Sequence, residues 1–140
     1  LGVSGSACAE DEIAEYIAGL DMSIFVYDYD YNAPDVSHLK NTHEKMFKAI
    51  RETHPDMPII IMTAPKFIRD EKFEARLKVI KKTYDNAIAK GDKNVYFILG
   101  SDLMKYCGNE GTVDGTHPTD YGFASMAKVL GDFIEDKGLI

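Results

Sequence analysis

The sequence contains no run of basic residues. With a formal charge of −7, it lacks the clustered Lys and Arg through which proteins neutralise nucleic-acid phosphates, so a nucleic-acid partner is excluded. Lysines do gather at Lys78, Lys81, Lys82, Lys90 and Lys93, but Glu71, Glu74, Asp85 and Asp92 are interleaved with them, the pattern of a solvated helix face. No apolar stretch approaches the ~20 residues of a membrane span, and no basic-then-apolar leader opens the sequence. Cysteine is scarce: Cys8 and Cys107 are too few for a disulfide framework and stand in no metal-like spacing, which leaves free thiols or one bridge. His38, His43 and His54 have no i,i+4 partner and no neighbouring cysteine, so they read as surface or capping residues and not as metal ligands. What is present is 140 residues, 45% of them hydrophobic, enough for one domain with a core and too little for two.

Strand and helix patterns alternate along the chain. Ser23–Tyr27 is a short apolar run of β-formers ending in Asp28 and Asp30, which predicts a central strand buried on both faces. Pro58–Thr63 and Val95–Leu99 are two more such runs. Helical periods lie between and around them: Ile13, Tyr16, Ile17 and Leu20; Val36, Leu39, Met46, Phe47 and Ile50, closed by His54-Pro55; Phe73, Leu77, Ile80, Tyr84 and Ile88, ending near Gly91; and Phe123, Met126, Leu130, Phe133 and Ile134, starting at Pro118. Strands separated by helices imply right-handed crossovers and a parallel sheet covered on both faces. Ligands of such sheets sit beyond the carboxyl ends of the strands. Asp28, Asp30, Asn32, Thr63, Ser101 and Asp102 all fall at those ends. Tyr27, Tyr29 and Tyr31 alternate along a strand and its exit, as core and cleft packing requires.

The pentapeptide Asp114-Gly115-Thr116-His117-Pro118 carries the chemistry. An Asp bonded to one imidazole nitrogen fixes the tautomer and orientation of the ring, and the other nitrogen is then free to take a proton from a nucleophile. Alone, an Asp-x-x-His is also the mark of a helix-capping turn. By the same standard Asn32 before Pro34 suits an Asx turn, and Gly5 suits a tight turn.

Taken together these segments resemble a known family. Leu1-Gly2-Val3-Ser4-Gly5-Ser6-Ala7, then an apolar strand running into Tyr31-Asn32-Ala33-Pro34, then Asp114-Gly115-Thr116-His117-Pro118, are similar in order and separation to the second, third and fifth sequence blocks of the SGNH (GDSL-like) hydrolases. The resemblance implies a flavodoxin-like, three-layer α/β/α fold and a serine esterase acting on short acyl esters, acetyl above all, of sugars or lipids. It implies a backbone N–H of Gly5 and the side-chain amide of Asn32 as oxyanion donors, His117 as general base and Asp114 as its orienter, with no metal or organic cofactor. Donors aimed at the transition state are each worth about 3 kcal/mol.

In that family the nucleophilic serine belongs to a first block, after the first strand, which has no counterpart in these 140 residues. The expectation is therefore a single truncated domain, residues 1–140, lacking the N-terminal strand, with a central gap in the sheet and an inactive chain. A missing N-terminal segment or a homo-oligomer would be its partner. Ser4 and Ser101 read as turn or capping residues and not as substitutes for the nucleophile, since the nucleophile elbow wants glycine where Ser6 stands. Two other readings compete. Asp28-Tyr29-Asp30 after a hydrophobic strand, with Thr63 ending the next and Lys66 behind it, resembles the haloacid-dehalogenase-type phosphatases, which would imply Asp28 as nucleophile, Asp30 as proton carrier and a magnesium ion. The chain could also serve as a non-catalytic binding module.

Overall fold

The computed structural model describes residues 5–140. Three parallel strands, β1 (Phe25–Asp28), β2 (Ile59–Met62) and β3 (Val95–Ile98), form one sheet in the order β1-β2-β3, with Phe25 opposite Ile59 and Ile59 opposite Val95. Helices α1 (Asp11–Ala18), α2 (Val36–Thr53), α3 (Glu71–Ala89), α4 (Gly100–Leu103) and α5 (Asp120–Lys137) lie between and around them.

Side chains alternate across a strand, and the two faces of the sheet carry different cores. Tyr27, Ile59, Ile61 and Val95 meet α1, α2 and α3 through Ile17, Leu39, Phe47 and Ile80. On the opposite face Ile60, Met62 and Ile98 meet α5 through Val129, with Met126, Leu130 and Phe133 packed at the margin. This gives the three-layer α/β/α arrangement. β2 is central because its residues are apolar in both directions: Ile59, Ile60 and Ile61 are fully buried, each worth about 1.5–3 kcal/mol of transfer free energy.

The sequence predicts β1 as a central strand. Among the described residues it pairs only with β2, its other edge is open, and Phe25 and Val26 are half-buried. The described strands leave no gap between them; the opening is at this edge. A cavity of about 260 Å³ runs along β1 and is walled by Ser6, Ala7, Ile13, Tyr16 and Asp28. Leu1 to Ser4, including the Ser4 weighed above, lie outside the described residues.

Helix faces also differ from their apolar periods. On α1 Ile13 and Tyr16 are exposed while Ala14 and Ala18 are buried, and on α5 Phe123 is exposed while Gly122 and Ser125 are buried. On α3 the buried stripe is Phe73, Arg76, Ile80, Thr83 and Ala87, whereas Ile88 is exposed and Leu77 and Tyr84 are half-buried. The face is set one residue back from the apolar count because an arginine and a threonine occupy core positions. On α2 His43 is fully buried between Leu39 and Phe47, which corrects its reading as a surface or capping residue. Its Nδ1 lies 2.8 Å from Thr83 Oγ1, its ring stacks on Tyr27 at 4.5 Å, and its Nε2 has no partner among the described residues. Burial lowers its pKa from 6.5 to about 3, so the ring is neutral. His54 does act as a cap, its Nε2 lying 2.8 Å from the carbonyl of Ala18, the last residue of α1; His38 Nε2 lies 2.8 Å from the carbonyl of Cys8, in the loop before α1, and caps no helix. Helix α5 begins after Pro118: Thr119 is the N-cap, its hydroxyl accepting from the Gly122 N–H at 3.1 Å. Cys8 and Cys107 are free thiols.

Candidate active site

The carboxyl ends of the strands carry the polar groups. From β3 the chain turns through α4 and the short 3-10 turn Gly108–Gly111 into a loop closed by the antiparallel bridge between Thr112 and Pro118. Val113 N–H donates to the His117 carbonyl at 3.0 Å, so residues 113–117 form a tight excursion from one base. Gly115 sits at its tip with φ +82°, a conformation glycine adopts without steric cost.

Within this excursion the carboxylate of Asp114 does two jobs. Oδ1 accepts the backbone N–H of Thr116 at 2.9 Å and of His117 at 2.8 Å, while Oδ2 lies 2.7 Å from His117 Nδ1. These bonds, the His117 backbone N–H first, hold the Asp114 pKa at about 2. One oxygen thus shapes the turn and the other orients the imidazole. The sequence offered a capping turn and a base orienter as alternatives; the carboxylate bonds both the backbone of the turn and the imidazole, while the cap of α5 itself is Thr119. His117 is exposed, and its Nε2 makes no hydrogen bond among the described residues.

The loop is seated by a close backbone approach. A Cβ on Gly122, in the first turn of α5, would stand 2.0 Å from the carbonyl oxygen of Gly111. Thr119 N–H also donates to that carbonyl, at 2.9 Å, and the Thr119 hydroxyl donates to Glu110 at 3.1 Å. The Ser125 hydroxyl, one turn further, bonds the Leu103 carbonyl at 2.7 Å.

Asn32 lies on the exit of β1, exposed, in the turn Asp30-Tyr31-Asn32-Ala33, closed by Ala33 N–H to the Asp30 carbonyl at 3.0 Å. Gly5 is exposed with φ +78°. The segment behind Gly5 is fastened to this turn: Cys8 Sγ lies 3.9 Å from the Asn32 carbonyl, and the Cys8 carbonyl accepts from the Tyr29 hydroxyl at 3.0 Å. The structure thus joins Asp114 directly to His117 and ties the Gly5 segment to Asn32. It shows no hydrogen bond between those two halves among the described residues.

The remaining polar residues at the strand ends are engaged or isolated. Thr63 Oγ1 accepts the Gly100 N–H at 2.7 Å, knitting the exits of β2 and β3. Ser101 is inside α4, whose N-cap is Leu99, and Asp102 is exposed. Asp30 is buried: Oδ2 accepts Ala64 N–H at 2.9 Å and Oδ1 faces Arg76 Nη1 at 3.4 Å. Burial raises the Asp30 pKa, and the Ala64 amide and Arg76 oppose that rise. An aspartate so committed is not free to carry a leaving-group proton, which removes the phosphatase role proposed for it beside Asp28. The larger cavity, about 530 Å³, lies away from all these residues, between α2 and α3, near Glu44, Arg51, Asn86 and Asp92.

Sequence reasoning missed Arg76 and Thr83. The one available signal was their spacing from Phe73, Ile80 and Ala87 on α3.

Comparison with known proteins places this arrangement. The fold matches a protein from Bacteroides ovatus described as a GDSL-like lipase, with 30% identity, TM-score 0.80, and coverage of 97% of this chain and 42% of that one. It also matches a salicylyl-acyltransferase from a tetracycline biosynthetic pathway, at 16% identity, TM-score 0.77, and 96% and 43% coverage. A family two carbohydrate esterase from Clostridium thermocellum follows at 18% identity, TM-score 0.68, and 84% and 37% coverage. The chain therefore spans about two fifths of the length of these structures. No curated protein sequence matches it. A sequence model of the GDSL-like lipase/acylhydrolase family matches residues 1–135, and the chain belongs to that family.

Proposed function

We propose that these 140 residues are the C-terminal part of one catalytic domain of a serine ester hydrolase that removes a short acyl group, acetyl above all, from a carbohydrate or lipid ester. The observation that carries this reading is the Asp114–His117 pair, with Nδ1 held at 2.7 Å and Nε2 unengaged among the described residues, at the carboxyl ends of a parallel sheet. In the proposed reaction a serine supplied from outside these residues attacks the ester carbonyl while His117 Nε2 takes its proton. Gly5 N–H and the Asn32 amide receive the developing oxyanion, and His117 returns the proton to the leaving alcohol. Water then attacks the acyl-enzyme with His117 again as base, releasing the acid. The unpaired edge of β1, with the cavity beside it, offers a strand bearing that serine a place to pair.

The carbohydrate esterase above and a peptidoglycan O-acetylesterase, 18% identical with TM-score 0.62 over 89% of this chain and 40% of that one, share the fold and favour a sugar ester over a lipid. The test is p-nitrophenyl acetate hydrolysis by the 140-residue chain and by a form extended upstream through the preceding strand, each with a His117→Ala control. Activity in the extended form alone, lost in the variant, is expected. Turnover by the short chain that depends on His117 would place the nucleophile within it, and inactivity of both forms would overturn the esterase reading.

A further inference from the structure

Asn32 has no hydrogen bond to its own side-chain amide among the described residues; only its carbonyl is touched, by Cys8. Its direction is therefore set by the backbone of the turn that carries it. That turn is gripped from α3. Arg76 Nη1 donates to the Asp30 carbonyl at 2.6 Å, and Nη2 donates to the Ala33 carbonyl at 2.8 Å, so the guanidinium straddles the first and last residues of Asp30-Tyr31-Asn32-Ala33. The Tyr31 ring covers the guanidinium at 5.5 Å and takes Lys72 at 5.1 Å. The Asp30 carboxylate is in turn fastened to the exit of β2 through Ala64 N–H. Of the two central residues of the turn, Tyr31 is packed and Asn32 alone is exposed.

We propose that Arg76 is a positioning residue for Asn32: its two-pronged hydrogen bonding fixes the turn so that the Asn32 amide is presented to the oxyanion. This rests on the reading of Asn32 as an oxyanion donor. Stability alone is a poor reason for the arrangement. Arg76 is 2% exposed and its Nε has no partner among the described residues, and replacing a buried ion pair by apolar residues of similar volume is often neutral or favourable. The geometry also requires the fork. A lysine could balance the Asp30 charge but, as a point donor, could not reach both carbonyls in one plane.

The test is a double-mutant cycle of Arg76→Lys and Asn32→Ala on kcat and KM in the upstream-extended enzyme. Asn32→Ala should lower kcat by about 100-fold or more, as loss of an oxyanion donor does. Arg76→Lys should lower kcat by about tenfold or more, since small misplacements of a catalytic group carry such costs, with KM nearly unchanged. In the Asn32→Ala background Arg76→Lys should have almost no further effect. An unchanged kcat in Arg76→Lys, or the same loss in both backgrounds, would overturn the proposal, the second by showing a general structural role. Full activity of Asn32→Ala would instead remove the underlying reading, and the proposal with it. If Arg76→Lys does not fold, NMR of the unaltered protein decides: separate, slowly exchanging Arg76 Hη signals are expected, and a single averaged signal would refute the fork.

Discussion

Acid should weaken this protein through one buried ring. His43 is neutral in the folded chain, with its pKa lowered from 6.5 to about 3 by burial. Between those values the unfolded chain binds a proton at this position and the folded chain does not, so stability is fully present above about pH 6.5 and falls as pH drops towards 3. With 1.36 kcal/mol per pKa unit, the loss from pH 7.5 to pH 5 is about 2 kcal/mol, and its ceiling below pH 3 is about 5 kcal/mol. The perturbation is His43→Phe, which keeps the stack on Tyr27, removes the unpartnered Nε2 and leaves the Thr83 hydroxyl free to bond a carbonyl of its own helix. Urea unfolding of both proteins at intervals from pH 5 to pH 8 measures the effect. The other histidines are common to both and cancel. The stability difference between variant and parent should shift by about 2 kcal/mol in favour of phenylalanine as pH falls from 7.5 to 5, whatever its absolute value. Parallel pH curves would refute the reasoning, because they would mean that the ring takes up a proton in the folded state as readily as in the unfolded one.

Four further outcomes follow, three from the packing and one from the Asp114–His117 pair. Gly122→Ala should destabilise by about 2 kcal/mol or more, since the new Cβ meets the Gly111 carbonyl, whereas Gly131→Ala in the same helix, with nothing within 4 Å, should stabilise by about 0.5–1 kcal/mol; urea unfolding reads both. Arg51→Met should cost about 2–3 kcal/mol by the same assay, because Arg51 bonds Asp92 and the carbonyls of His54, Met57 and Asn94. In the upstream-extended enzyme, Asp114→Asn should lower kcat by several orders of magnitude while leaving the fold intact, because the amide can place the imidazole in the wrong tautomer; steady-state kinetics and circular dichroism separate the two.

The strands were legible because each is a short apolar run bounded by turn residues, and burial on both faces demands that composition. The Asp114–His117 pair was legible because its partners are three residues apart with a glycine between, so local geometry decides the contact. On α3 periodicity failed because polar residues take core positions. Counting apolar residues along α3 selected Leu77, Tyr84 and Ile88, while the buried stripe runs through Arg76 and Thr83, whose partners Asp30 and His43 are brought to them by the fold. His43 is a polar residue in a core position for the same reason, and its spacing from Leu39 and Phe47 is the one sequence signal of that burial. Which strand pairs on the side of β1 away from β2 is a non-local fact that its own residues do not carry.

The division of labour within the Asp114 carboxylate has a kinetic consequence. All its bonds span at most three residues, so they close without ordering the rest of the chain and carry almost none of the loop-closure entropy that delays distant contacts. The Arg76 grip on Asp30 spans 46 residues and must await the docking of α3. Heating or mild denaturant should therefore silence the proposed oxyanion site before the acid–histidine pair comes apart. A partly unfolded population would then keep an oriented imidazole with nothing for it to act upon.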